Sequence, residues 1–241
     1  MPNTSNPQKN IWKKLQAFFG VRKRSKKVYF VSGMCNPCSV FDNIVLPEGY
    51  EKVYIEWLIP KEDELLEAYA IRMAETIDKS EPFILIGYSF GGIIVQLMNA
   101  FLDPTKTIII SSMKSEKEIP QLFKFAKTSH FFKYVPKSVY GSTNFVTDIF
   151  TRYLYELPTE EVRQLMTITD PVYVRWSIEQ ITHWTPKIKC ENLYHIHGTK
   201  DQIFPFRQID NVYGVINGDH LMVIHRAEEI SALIDHIILE K

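Results

Sequence analysis

The sequence predicts an α/β protein: a mostly parallel sheet with helices on both faces and a helical cap inserted above it. Three observations carry that reading. Short apolar runs rich in β-branched residues alternate with stretches of helical periodicity, the βαβ rhythm that builds parallel sheets. The run Phe83 to Ile86 leads at once into Gly87-Tyr88-Ser89-Phe90-Gly91-Gly92 and a second apolar stretch, a strand, sharp turn and helix of the kind that holds a serine exposed at the top of a sheet. Residues 112 to 190 then break the rhythm, crowded with aromatics and divided by Pro120, Pro136, Pro158, Pro171 and Pro186.

Taken in order, Lys9 to Phe19 places Ile11, Trp12, Leu15, Phe18 and Phe19 at helical spacing with lysines between them, before Gly20 and a basic linker. A short basic amphipathic helix of this kind can lie weakly on an anionic membrane surface or pack its aromatic face on the body. Residues 1–27 are therefore read as an extension. Val28 to Ser32 is the first strand, Gly33 to Cys38 a loop at its carboxyl end, and Phe41 to Leu46 a short helical piece. Lys52 to Trp57 reads as the next strand. Leu66, Tyr69, Ala70, Met73, Ala74 and Ile77 share one face of a helix expected over Glu62 to Lys79.

The helix after Ser89 should run to about Phe101, stopped by Asp103 and Pro104. Thr105 to Ile110 is β-branched through its centre and suits a strand buried on both faces. Residues 28–111 and 191–241 form the core, with 112–190 as the helical cap. Asn192 to Ile196 and Val212 to Ile216 complete the sheet, each followed by a turn, Gly198 to Asp201 and Asn217 to His220. A closing helix from about Ala227 turns Ile230, Leu233, Ile234 and Ile237 or Ile238 inward.

Composition narrows the function. With 241 residues, 45% of them hydrophobic, one well-filled core fits and two large domains do not. The formal net charge of zero conceals an asymmetry, because residues 1–27 hold eight of the 28 Lys and Arg and no acid. The remainder is acidic, so no nucleic-acid partner is expected. No apolar run reaches membrane-spanning length, and basic residues interrupt the first apolar cluster, unlike a secretory signal; a cytoplasmic location, peripheral to the membrane if the basic segment engages it, is the expectation.

A serine hydroxyl is a poor nucleophile until a neutral imidazole takes its proton and an acid orients that imidazole. Two turns at strand ends offer partners for Ser89: His197-Gly198-Thr199-Lys200-Asp201 and Gly218-Asp219-His220. In a parallel sheet both emerge at the edge where Ser89 stands. Asp219, Asp170 and Asp148 are alternative acids, and His183, His195, His197 and His225 alternative bases. His195 within a strand and His197 at the head of a turn read more simply as hydrogen-bonded structural imidazoles, His130 as packing, and His236 as an exposed helix residue.

On these residues the chain resembles the α/β-hydrolase superfamily over residues 27–240. The resemblance implies Ser89 as nucleophile, Asp201 as orienting acid, His220 as base, and a trimmed sheet of about six strands. It also implies an oxyanion hole from the backbone N–H of Phe90 and of Met34, in a loop reading Ser32-Gly33 where many members have His-Gly. The activity implied is that of an esterase or thioesterase acting on a small molecule, and the aromatic composition of the insertion favours an apolar substrate portion. A triad-based lyase or carbon–carbon hydrolase, and a non-catalytic ligand-binding protein on the same scaffold, are the alternatives.

No cofactor or metal is expected: nucleotide-binding glycine patterns are missing, and Cys190 is too isolated to complete a metal site with Cys35 and Cys38. Cys35-Asn36-Pro37-Cys38 has dithiol spacing. It reads either as two buried thiols or as a redox-sensitive pair whose closure would move Met34.

Overall fold

The computed structural model describes residues 25–129, 164–186 and 190–240. The basic helix expected over residues 9–19, together with His130, Asp148 and much of the cap's aromatic set, lies outside them.

Six strands form one parallel sheet: β1 (Lys26–Val31), β2 (Tyr50–Tyr54), β3 (Ile84–Tyr88), β4 (Lys106–Ile110), β5 (Leu193–Gly198) and β6 (Tyr213–Val215), in the order β2-β1-β3-β4-β5-β6. Helices among the described residues include α1 (Leu66–Met73), α2 (Phe90–Asn99), α3 (Gln121–Ser129), α4 (Pro171–His183), α5 (Met222–His225) and α6 (Ala227–Leu239). Strand alternation divides the core in two. Tyr29, Leu85 and Ile109 face one way, under α1 and α2. Phe30, Ile86, Ile108 and Ile110 face the other, under α6, whose Ile230, Ile234 and Ile237 are fully buried. Among the described residues no helix is long and apolar enough to cross a membrane.

Helices α3 and α4 stand between β4 and β5, where the helical insertion was expected. Asp170 caps α4 by accepting the N–H of Val172 and of Tyr173 at 2.9 and 3.1 Å. Cap and body are joined by hydrogen bonds: the Trp176 indole donates to Glu64 O at 2.7 Å, and Ile168 N–H donates to Cys35 O at 3.1 Å.

Three local expectations are corrected. Phe41 to Leu46 is not helical; a 3-10 turn occupies Cys38–Phe41 instead. The Lys52 ammonium gathers the carbonyls of Phe41, Asp42 and Ile44 at 2.9 to 3.0 Å, holding this stretch as an open turn in which Phe41 O also accepts Ile44 N–H at 3.0 Å. The second strand ends at Tyr54 rather than Trp57, because Tyr69 Oη accepts Leu58 N–H and donates to Leu58 O, turning the chain off the sheet. The next helix begins at Leu66 rather than Glu62. Before it, Glu64 accepts Lys61 N–H and pairs with Arg72 at 2.7 Å, closing a turn in which Asp63 has φ 52°.

The start of α2 touches the end of β1 without an intervening side chain. A Cβ on Gly91 would lie 2.2 Å from Val31 O and 2.4 Å from Ser32 O. Because both obstacles are backbone, Gly91→Ala is expected to destabilise the protein by about 2–3 kcal/mol. Urea unfolding checks this as a lowered midpoint at unchanged slope.

Candidate active site

Ser89 sits between β3 and α2 with φ 52° and ψ −117°, a conformation that L-residues adopt only when neighbours hold it. Its N–H donates to Ile110 O at 2.9 Å, and its carbonyl accepts Gly92 N–H at 3.0 Å and the Ser112 hydroxyl at 2.7 Å. Ser112 is a supporting residue that the sequence reading did not single out. Nothing in its surroundings in the chain marks it, because its role exists only once β4 lies beside β3.

Gly198 does for the far side of the site what Gly91 does for the near side. A Cβ there would stand 2.2 Å from Gly218 O, so its absence lets the turn after β5 press against the turn after β6. Asp201 and His220 are thereby brought together. His220 Nδ1 lies 2.9 Å from Asp201 Oδ2, and His220 Nε2 lies 3.0 Å from Ser89 Oγ. Burial pushes the Asp201 carboxyl upward, but His220, the nearby His197 and the Phe204 N–H outweigh it and hold the group below the ordinary carboxylate range; the N–H groups of Ile203 and Phe204 both donate to Oδ1 at 2.9 Å. Facing a carboxylate, Nδ1 carries the proton, which leaves the Nε2 lone pair for the serine hydroxyl.

The described alternatives stand elsewhere. Asp219 Oδ2 faces His225 Nδ1 at 3.3 Å, Asp170 caps α4, and His183 Nδ1 lies 2.8 Å from Glu179 O. His195 and His197 form a buried pair behind Asp201. His197 Nε2 is 2.8 Å from Phe204 O and therefore donates to it; its Nδ1 is 3.1 Å from His195 Nε2. Burial lowers both imidazoles; beside His195 the His197 ring and Lys114 act the same way, while beside His197 the Asp201 carboxylate and the Phe204 carbonyl oppose the burial without reversing it. As neutral rings they form one directed chain, ending at a His195 Nδ1 with no partner among the described residues.

Met34 lies in the turn after β1, and Phe90 is the first residue of α2. As the first helical residue, Phe90 has no acceptor for its N–H inside the helix, and Met34 N–H meets no acceptor among the described residues. Cys35 and Cys38 are free, buried thiols, both pushed up to about 12, by burial above all. Among the described residues no group of three or more His, Cys, Asp or Glu side chains is placed to hold a metal ion.

No family model matches the chain, and no curated protein matches it. Solved structures do. A hydrolase from Pseudomonas aeruginosa is similar with a TM-score of 0.68 at 11% identity, over 90% of this chain and 91% of that one. A lipase-esterase related protein from Clostridium acetobutylicum gives 0.61 at 16%, over 90% and 96%. A thermophilic esterase from Thermogutta terrifontis gives 0.61 at 14%, over 89% of each chain. Likeness at such low identity is a likeness of fold.

The buried histidine pair gives a pH dependence of known sign. Both rings have folded-state pKa values below the ordinary value of about 6.5, so as pH falls through that value the unfolded chain takes up protons first and stability is lost. Between about pH 7.5 and 5.5 the loss is expected to be about 1–2 kcal/mol. Asp201, held low, adds nothing in that window. Urea titrations at the two pH values check this, and His195→Gln should flatten the difference.

Proposed function

We propose that this chain, which has the α/β-hydrolase fold, is a serine hydrolase that cleaves a carboxylic ester or thioester through an acyl-enzyme. The observation that carries the reading is the continuous hydrogen-bonded path from Ser89 Oγ through the His220 ring to Asp201, built on a serine held at positive φ.

In this reading Ser89 Oγ attacks the acyl carbonyl as His220 Nε2 takes its proton. Asp201 keeps Nδ1 protonated and stabilises the imidazolium that forms. The N–H groups of Phe90 and Met34 receive the oxyanion. The proton on Nε2 then passes to the departing alcohol or thiol. Water, deprotonated by the same nitrogen, repeats the attack on the acyl-enzyme and releases the acid, regenerating Ser89. Support for an apolar substrate portion comes from the aromatic rings gathered beside Phe90, with Trp57 at 5.2 Å and Trp176 at 6.2 Å between centroids. The substrate is taken to be a small molecule met in the cytoplasm, with residues 9–27 as the segment available to a membrane surface.

Labelling with a fluorophosphonate, read by intact mass, tests the assignment. One adduct on the parent protein and none on Ser89→Ala is expected; an unlabelled, well-folded parent overturns it. Asp201→Asn should lower kcat on a short activated ester by about three to four orders of magnitude, since it leaves His220 in the wrong tautomer.

A further inference from the structure

The strongest unexplained feature near the site is Trp57, which the sequence places at the end of a strand and the structure places beyond it. Its indole Nε1–H is shared between Ser32 Oγ at 2.9 Å and Gly33 O at 3.1 Å. The carbonyl of Gly33 belongs to the same peptide unit as the N–H of Met34, and in a trans peptide the two point in opposite directions.

Gly33 O also accepts Asn36 N–H at 3.1 Å. Two donors on one side thus fix the plane of this peptide and hold the Met34 N–H outward on the other. Donation to the carbonyl also polarises the peptide and strengthens its N–H as a donor. The turn needs such holding, because Cys35, its third residue, has φ 65°. Ser32 Oγ passes the restraint on by donating to Asn36 O at 2.6 Å.

The face of Trp57 rests on the side chain of the residue that carries the second amide. Its ring lies nearly parallel to that of Phe90, 9° between planes and 5.2 Å between centroids, with Tyr173 at 5.5 Å and Tyr69 at 6.4 Å around it. A tryptophan that only filled space would satisfy its N–H with any nearby acceptor. This one spends it on the peptide that carries Met34 while its face rests on the residue after Ser89.

We propose that Trp57 is a positioning residue for both halves of the oxyanion hole, aiming and polarising the Met34 N–H and setting its separation from the Phe90 N–H. This role rests on the serine hydrolase reading above. It makes the developing charge, rather than the bound ester, the species that Trp57 favours.

Trp57→Phe keeps a flat ring and removes the donor. The test compares it with the parent on p-nitrophenyl butyrate and on the matching thionoester, whose developing charge falls on sulfur, a weaker hydrogen-bond acceptor. The expected result is a kcat about tenfold lower on the oxygen ester with KM within about twofold, and a loss under about threefold on the thionoester. Equal losses on both esters, or no loss on either, overturn the role. If Trp57→Phe does not fold, β-(3-benzothienyl)alanine at position 57, with sulfur in place of the indole N–H, isolates the same bond. Ser89→Ala runs alongside: parental turnover in that variant removes the hydrolase reading and this role with it, whereas Ser89-dependent turnover with no Trp57 effect removes the role alone.

Discussion

The backbone of Ser89 is the constraint on which the rest of the structure depends. A non-glycine residue at φ 52°, ψ −117° carries about 1–3 kcal/mol of strain. The segment that follows is what makes this tolerable. Ile93, Ile94, Val95 and Met98 of α2 are all fully buried, each worth about 1.5–3 kcal/mol. The strain is thus small beside the packing of the helix it starts, and the chain cannot relax the elbow without lifting that helix. Closeness of backbone does the rest. Gly87 would collide with Gly91 O at 2.3 Å, and Gly92 with Ser112 Oγ at 2.4 Å, if either bore a Cβ.

A second balance is electrostatic. Asp201 is almost wholly buried, and an isolated carboxylate there would be opposed by several kcal/mol of lost hydration. Three donors converge on it, from His220, Ile203 and Phe204. Hydrogen bonds to a charged group contribute about 1.5–3 kcal/mol each, enough together to offset that loss. The neutral histidine pair lies close by, with His197 Nε2 at 3.6 Å from Asp201 Oδ2 but committed to Phe204 O. His197 therefore fixes the turn that carries Asp201, and its closeness also favours the carboxylate. Asp219, next in sequence to His220, is partly solvated and paired with His225, so adjacency in the chain counts for less than the turn geometry.

Much of this was legible in the sequence, and the reasons are local. β-branched runs mark β4, the apolar periodicity of α6 marks its buried face, and the glycines around Ser89 mark the elbow. The convergence of Ser89, Asp201 and His220 follows from parallel topology, because strand ends at one edge bring distant turns together. What was not legible depends on partners far along the chain. Lys52 gathers the carbonyls of an open turn at 41–44, Tyr69 ends a strand at Tyr54, and Arg72 pairs with Glu64 before a late helix start. Trp57 falls in the same class: periodicity puts it in a strand, whereas its contacts to Ser32 and Gly33 in the turn after β1 and to Phe90 in α2 belong to two other parts of the chain.

The loop carrying Met34 shows how these long-range partners add up. Its Cys-x-x-Cys spacing suggests a dithiol, but thiols pushed up to about 12 are almost wholly protonated near neutral pH, and the thiolate is the form that reacts. Cys38 Sγ instead donates to Ile55 O at 3.4 Å, and the Cys35 peptide is gripped by the cap, its N–H donating to Tyr173 Oη at 3.4 Å and its carbonyl accepting from Ile168. Asn36 Nδ2 donates to Leu165 O at 2.8 Å as a further tie. The loop is thus held from below by the sheet, from above by the cap and from the side by Trp57. Because one short turn answers to all three, the inserted segment that carries Leu165, Ile168 and Tyr173 helps to fix the backbone of that turn, and changes in the segment are expected to reach Met34 through backbone placement.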